Sequence, residues 1–169
     1  MKLVISTCAD PLSESEFVAP IVKLVGECVV RKCNKVKPED IAQADSIIIT
    51  GTALADFVYL KQKWDWLKTF KKPVLGICAG MQVLALAHGG KLVNQERIGV
   101  HPVTVIEPNP FCEGDFSAYF LHTKGVEGLD VLATSDNKPV MVKVKGKEQY
   151  GCLFHPEVLN EEIIKRFVA

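Results

Sequence analysis

The chain has 169 residues, 48% of them hydrophobic, which suits one domain with a buried core and is too little for two full domains. Lysine plus arginine number 20 and aspartate plus glutamate number 20, a formal net charge of zero. That balance argues against nucleic acid as the main partner. High hydrophobicity without net charge argues against a disordered chain.

The chain opens MKLVISTCAD, whose apolar run 3–5 is too short for a signal-peptide core. No stretch reaches the ~20 apolar residues of a membrane helix, so a soluble cytoplasmic protein is expected. Residues 3–6 form the first strand candidate. Pro11 and Ser13 punctuate, and 16–26 reads as a helix with Phe17, Ile21, Leu24 and Val25 on one side. Residues 28–31 suggest a short strand, 38–44 a short helix, and the β-branched run 46–50 a strand ended by Gly51. The strongest amphipathic pattern is 56–70, with Phe57, Leu60, Trp64, Leu67 and Phe70 at helical spacing. Of the pair Trp64 and Trp66, at least one is expected in the core. Residues 73–77 form a buried-type strand, and 79–88 a helix closed by Gly89-Gly90.

Short apolar strands alternating with helices predict a parallel sheet covered on both faces. After Lys91 the pattern changes. Segments 100–107, 117–122, 129–135, 140–145 and 149–154 are strand-like with little helix between them, as in the antiparallel part of a mixed sheet. Residues 160–169 close as a helix. The fold class is α/β, and the whole of 1–169 is read as a single domain.

The cysteines are Cys8, Cys28, Cys33, Cys78, Cys112 and Cys152, with no C-x-x-C pair to suggest a zinc site. Five are expected to be packing residues in a reducing compartment. Cys78 differs. It stands between Gly76 and Gly80 where a strand runs directly into a helix, a G-x-C-x-G elbow. Such a turn projects the sulfur above the sheet edge, and its flanking positions must be small because strand and helix backbones approach closely. The helix N-terminus favours a thiolate, and the Ala79 N–H can receive an oxyanion. Gln82 follows four residues later on the same helix face and could read a polar substrate group.

A catalytic cysteine needs a base. His88 sits at a helix end, His101 precedes a proline at a strand start, and His122 ends a strand-like run. His155 follows an apolar strand in Phe154-His155-Pro156-Glu157. Pro156 keeps His155 out of the helical region, and Glu157, two residues on, shares its face. Sulfur, imidazole and carboxylate make a coherent acyl-transfer set, with Glu157 orienting the ring.

GICAGMQ (76–82) and FHPE (154–157) resemble the nucleophile and His-Glu motifs of the class I (triad) glutamine amidotransferases. VLATSDNKPV (131–140), followed by YGCLFHPEV (150–158), is similar to the branch that includes the glutaminase of GMP synthase. The resemblance runs from Ser46 onward. It implies a flavodoxin-like mixed sheet and hydrolysis of glutamine to glutamate and ammonia through a Cys78 thioester. His155 is then the base, Glu157 its orienting partner and Gln82 a substrate contact. No cofactor or metal is implied, and no phosphate-binding loop is present. With Cys78 and Glu157 placed as they are, an amidotransferase-like unit is expected to take up the whole chain and leave no room for an ATP-using synthetase, so the ammonia is expected to pass to a separate synthetase subunit.

Two positions depart from the family pattern. A Gly-Gly-Pro loop is replaced by Thr50-Gly51-Thr52-Ala53, so the second oxyanion donor falls on Thr52 beside Gly51. A β-branched Thr resists positive φ, so this hole is expected to form differently or only after activation. Leu121 occupies the place of a serine and Lys124 that of an acid in the segment expected to hold the glutamine backbone. Two alternatives therefore stand beside the glutaminase: a γ-glutamyl hydrolase or peptidase of the same fold, and a non-catalytic regulatory subunit.

Overall fold

The computed structural model describes residues 1–169, and its centre is one nine-stranded mixed sheet. The elements in chain order are β1 (Lys2–Ser6), α1 (Pro11–Phe17), α2 (Ala19–Val25), β2 (Val29–Lys32), α3 (Pro38–Gln43) and β3 (Ser46–Ile49). Two 3-10 turns follow, Val58–Lys61 and Asp65–Lys68. Then come β4 (Val74–Ile77), α4 (Ala79–Ala87), β5 (Lys91–Val105), β6 (Asp115–Glu127), β7 (Asp130–Ser135), β8 (Lys138–Lys143), β9 (Gln149–Cys152) and α5 (Glu161–Val168). The strand order is β2-β1-β3-β4-β9-β8-β7-β5-β6. The first five run parallel in the flavodoxin-like order, and the last four pair antiparallel, as the sequence predicts.

The strands alternate their faces with period two. Val4, Ile48 and Leu75 join one core with Phe17, Ile21 and Val25 of the first two helices and Ile163, Ile164 and Phe167 of α5. Leu3, Ile5, Ile47, Ile49 and Val74 join the other, with Tyr59, Trp64, Leu67 and Phe70 and the Val83–Leu84 side of α4. Trp64 is buried and Trp66 half-buried, in line with the expectation of one core tryptophan. None of the six cysteines is disulfide-bonded.

Three expectations need correction. The helix read at 16–26 is two helices broken at Val18. Pro20 has no N–H to give an upstream carbonyl, so the chain restarts with Pro20 in the first turn of α2. The helix read at 56–70 is only two 3-10 turns. Its carbonyls are taken by side chains: Trp64 Nε1 donates to Tyr59 O at 2.9 Å, and Gln149 Nε2 to Leu67 O and Phe70 O, both at 3.0 Å. Trp64, Leu67 and Phe70 all face inward, and their three-residue spacing is the 3-10 period. Third, the strand read from 100 begins at Lys91. It forms a long ribbon with β6, from Lys91 opposite Glu127 to Thr104 opposite Asp115.

Candidate active site

The parallel strands end at one edge, where the turns after β1, β3, β4 and β9 converge. Cys78 lies in the turn from β4 to α4 with φ 50° and ψ −101°, a conformation that is strained for a side-chain-bearing residue. Its N–H is fixed to Cys152 O of β9 at 2.7 Å. Both flanking glycines are needed. A methyl on Gly76 would lie 2.5 Å from the Gly80 carbonyl, and one on Gly80 would collide with the Ile49 carbonyl oxygen.

His155 follows β9, and its N–H donates to Tyr119 O of β6 at 2.8 Å. The ring is fully buried, with Phe17 and Tyr119 rings 5.5 and 6.1 Å away. Its Nδ1 is 2.7 Å from Glu157 Oε1. Facing a carboxylate oxygen, Nδ1 is the donor of that contact. Nε2 is buried without another partner in the chain. Burial alone would lower the ring's pKa. The neighbouring Cys78 sulfur and the Glu157 carboxylate outweigh it and hold His155 well above the usual histidine value.

Cys78 and His155 meet over Gly51, in the loop after β3. A methyl there would lie 2.7 Å from His155 Cε1 and 3.2 Å from Cys78 Cβ. Thr52 and Ala79 line the small cavity at Cys78, and Ala79 opens α4 with its N–H at the helix N-terminus. Neither Gly51 nor Thr52 has positive φ, so the conformational obstacle expected of a β-branched Thr52 does not arise.

Gln82 also lines the cavity, and both ends of its amide are bonded. Its Oε1 accepts from the Tyr59 hydroxyl, and its Nε2 donates to Lys124 O at 3.2 Å. The Lys124 ammonium turns outward to Asn94 Oδ1 at 2.8 Å. Leu121 contributes its carbonyl, which accepts from Cys78 Sγ at 3.6 Å.

The cavity measures only about 10 Å³, roughly the room one water needs. Larger hollows, of about 460 Å³ beside Trp64 and Trp66 and about 610 Å³ at the opposite sheet edge, include none of the residues that line it.

His122 is legible in the sequence only as a strand end, yet it lines the same cavity. It is 2% exposed and neither ring nitrogen has a partner. Burial pushes its pKa down to about 4, so the ring is neutral at neutral pH. Its signal in the sequence is a lone polar side chain at an inward position of an alternating strand.

A strained cysteine elbow, an imidazole and a carboxylate at the carboxyl edge of a flavodoxin-like sheet are the parts of a class I glutamine amidotransferase, and the chain belongs to that family. The family profile described as "Glutamine amidotransferase class-I" matches residues 17–168. A relative from Methanocaldococcus jannaschii, named as one subunit of a glutamine-hydrolyzing GMP synthase, is 34% identical over 143 residues, covering 76% of this chain and 75% of its own. The glutamine-hydrolyzing GMP synthase of Thermosipho melanesiensis is 34% identical over 110 residues, 57% of this chain. The match spans only 21% of that longer protein. A crystal structure from Thermoplasma acidophilum, described as a GMP synthase subunit, superposes with a TM-score of 0.83 at 17% identity, covering 99% of this chain and 92% of the other.

Proposed function

We propose that the protein is a glutaminase subunit that hydrolyses L-glutamine and passes the ammonia to a separate synthetase. The observation that carries this is the meeting of Cys78 and the His155–Glu157 pair over Gly51. His155 Nε2 takes the Cys78 proton, and the sulfur attacks the side-chain amide carbon of glutamine. The oxyanion is received by the N–H groups of Ala79 and Thr52. The imidazolium returns its proton to the departing nitrogen, which leaves as ammonia and a thioester remains. His155 then deprotonates a water, which attacks the thioester. Glutamate leaves and the thiol is restored. Glu157 holds the tautomer and offsets the imidazolium charge. Gln82 supports the substrate wall through Tyr59 and the Lys124 carbonyl.

The acceptor proposed is a GMP-forming synthetase, and the relative named as one subunit of a GMP synthase supports it. Phe57, exposed and lining the cavity at Cys78, offers such a partner an apolar contact.

Glutamine and γ-glutamyl dipeptides, assayed separately, test the reading. Glutamate and ammonia formed one to one from glutamine support it. Turnover of the dipeptides with none of glutamine would make the protein a γ-glutamyl hydrolase instead. Affinity capture from the native cell followed by mass spectrometry would identify the synthetase.

A further inference from the structure

The two tryptophans of the chain take no part in the chemistry at Cys78. Both line the hollow of about 460 Å³ between α3 and the segment of the two 3-10 turns, a volume within the range of small-molecule sites. Val36, Pro38 and Ile41 add aliphatic lining. The two indole rings lie 6.2 Å apart, Trp64 buried and Trp66 half-buried. A second hollow of about 270 Å³ shares Ile41, Ala42 and Trp66 with the first.

The surroundings are cationic. The segments that supply the first hollow, 31–42 and 61–72, hold nine Lys and Arg against three Asp and Glu, in a chain whose net charge is zero. One of those acids, Asp40, is already bound by Arg31 at 3.2 Å. Lys63 lines the first hollow, and Lys71 and Lys72 line the second. Lys72 is taken up by Asp45 at 3.4 Å, whereas Lys63 and Lys71 make no ion pair.

An apolar, aromatic hollow with a free ammonium at its rim suits a flat hydrophobic ring that carries a negative charge. It suits a nucleotide poorly. The polar edge of a base would lie against side chains that offer no hydrogen bond beyond the Cys33 thiol and Lys63, and each buried polar group without a partner costs about 1–3 kcal/mol.

Trp64 connects this hollow with the cavity at Cys78. Its Nε1 donates to Tyr59 O at 2.9 Å, and the buried Tyr59 hydroxyl donates to Gln82 Oε1. Tyr59 and Gln82 both line that cavity. A ligand that shifts Trp64 therefore acts on the Gln82 amide through two hydrogen bonds and one rigid ring.

We propose that the hollow beside Trp64 and Trp66 is a binding site for small aromatic carboxylates, and that its occupation changes glutamine affinity through Trp64, Tyr59 and Gln82. The change in affinity rests on the glutaminase reading; the binding does not.

With two tryptophans, the chain gives two indole N–H signals in a ¹⁵N-correlation NMR spectrum, and both report on the hollow. The probe is 1-naphthoate, compared with neutral 1-naphthamide and with adenosine monophosphate. 1-Naphthoate should shift both indole signals and the side-chain amide signal of Gln82 along one saturable curve. 1-Naphthamide should bind about two- to fivefold more weakly, and Lys63→Met should weaken 1-naphthoate by the same factor, the range of one exposed ion pair. Trp66→Leu should weaken it about tenfold. Saturation should change the KM for glutamine by about twofold or more. Tyr59→Phe should keep the binding and lose both the Gln82 shift and the response of KM.

Absence of a saturable shift with 1-naphthoate overturns the proposal. So does equal affinity for 1-naphthamide, adenosine monophosphate binding as tightly as 1-naphthoate, or an affinity unchanged in both Lys63→Met and Trp66→Leu. Indole signals that move with protein concentration alone would put a second copy of the chain on the hollow and overturn it too. A saturated hollow with an unchanged KM overturns the link to the glutamine site. A chain that turns over no glutamine ends the glutaminase reading, while the indole and Gln82 signals still decide the binding and its transmission.

Discussion

Gly51 is the floor on which His155 stands: a methyl at Gly51 would lie 2.7 Å from His155 Cε1. The backbone there has no positive φ, so the requirement is space and not conformational freedom. Gly51→Ala must push the ring off Cys78, and a displacement near 1 Å can cost ~100-fold in rate. The expected outcome is a fall in kcat of that order with a cooperative melting transition retained. Unchanged turnover would mean that the ring's placement over Gly51 does not matter.

Glu157 works through His155. The neighbouring sulfur and carboxylate raise the imidazole pKa against the effect of burial. Glu157→Gln should therefore lower the His155 pKa, read by NMR or from the rate–pH profile. It should slow turnover on the order of 10²- to 10⁴-fold, by analogy with loss of a triad carboxylate. Labelling of Cys78 by an electrophile should persist. The stability sign is fixed as well. A raised histidine pKa stabilises fully below the unfolded value near 6.5 and stops doing so as pH rises through the folded value. The part of the variant's deficit that comes from this source is thus largest below about pH 6.5 and closes on the alkaline side.

His122 should act in the opposite direction. Its folded pKa of about 4 lies below the unfolded 6.5, so it favours the folded state above pH 6.5 and that favour is lost as pH falls towards 4. The difference, 6.5 minus 4, corresponds to on the order of 3 kcal/mol. His122→Leu should flatten the stability–pH curve between these limits, measured as urea midpoints at pH 7 and pH 4.5. Curves of equal slope in variant and wild type would show that His122 is not the group responsible.

The elbow glycines should prove structural. A side chain at Gly80 meets the Ile49 carbonyl oxygen, which belongs to the sheet and cannot rotate away. Gly80→Ala is expected to cost about 1–3 kcal/mol, several degrees of melting temperature for a domain of this size. An unchanged melting temperature would mean that α4 does not need its close approach to β3.

What the sequence reveals and conceals divides along sequence distance. Cys78 with its glycines and His155-Pro156-Glu157 are local patterns, so the residues that meet over Gly51 can be named from the sequence. The 56–70 segment misleads because apolar spacings of three and four look alike. The choice between α and 3-10 is made by Gln149 and Trp64, whose side chains take the carbonyls. The first half of β5 escapes detection because Asn94, Gln95, Glu96 and Arg97 break the alternation that marks a half-buried strand. The contact of Cys8 Sγ with the Gly51 carbonyl is invisible in the sequence because the two lie 43 positions apart and meet only through the β1–β3 register.

Everything proposed for the site depends on Cys78 being the nucleophile of a glutaminase. Treating the intact chain with a glutamine-mimicking chloroketone and mapping the adduct by mass spectrometry tests it most directly. One dominant adduct is expected on Cys78, suppressed by excess L-glutamine. An adduct on another cysteine with Cys78 unmodified would contradict it.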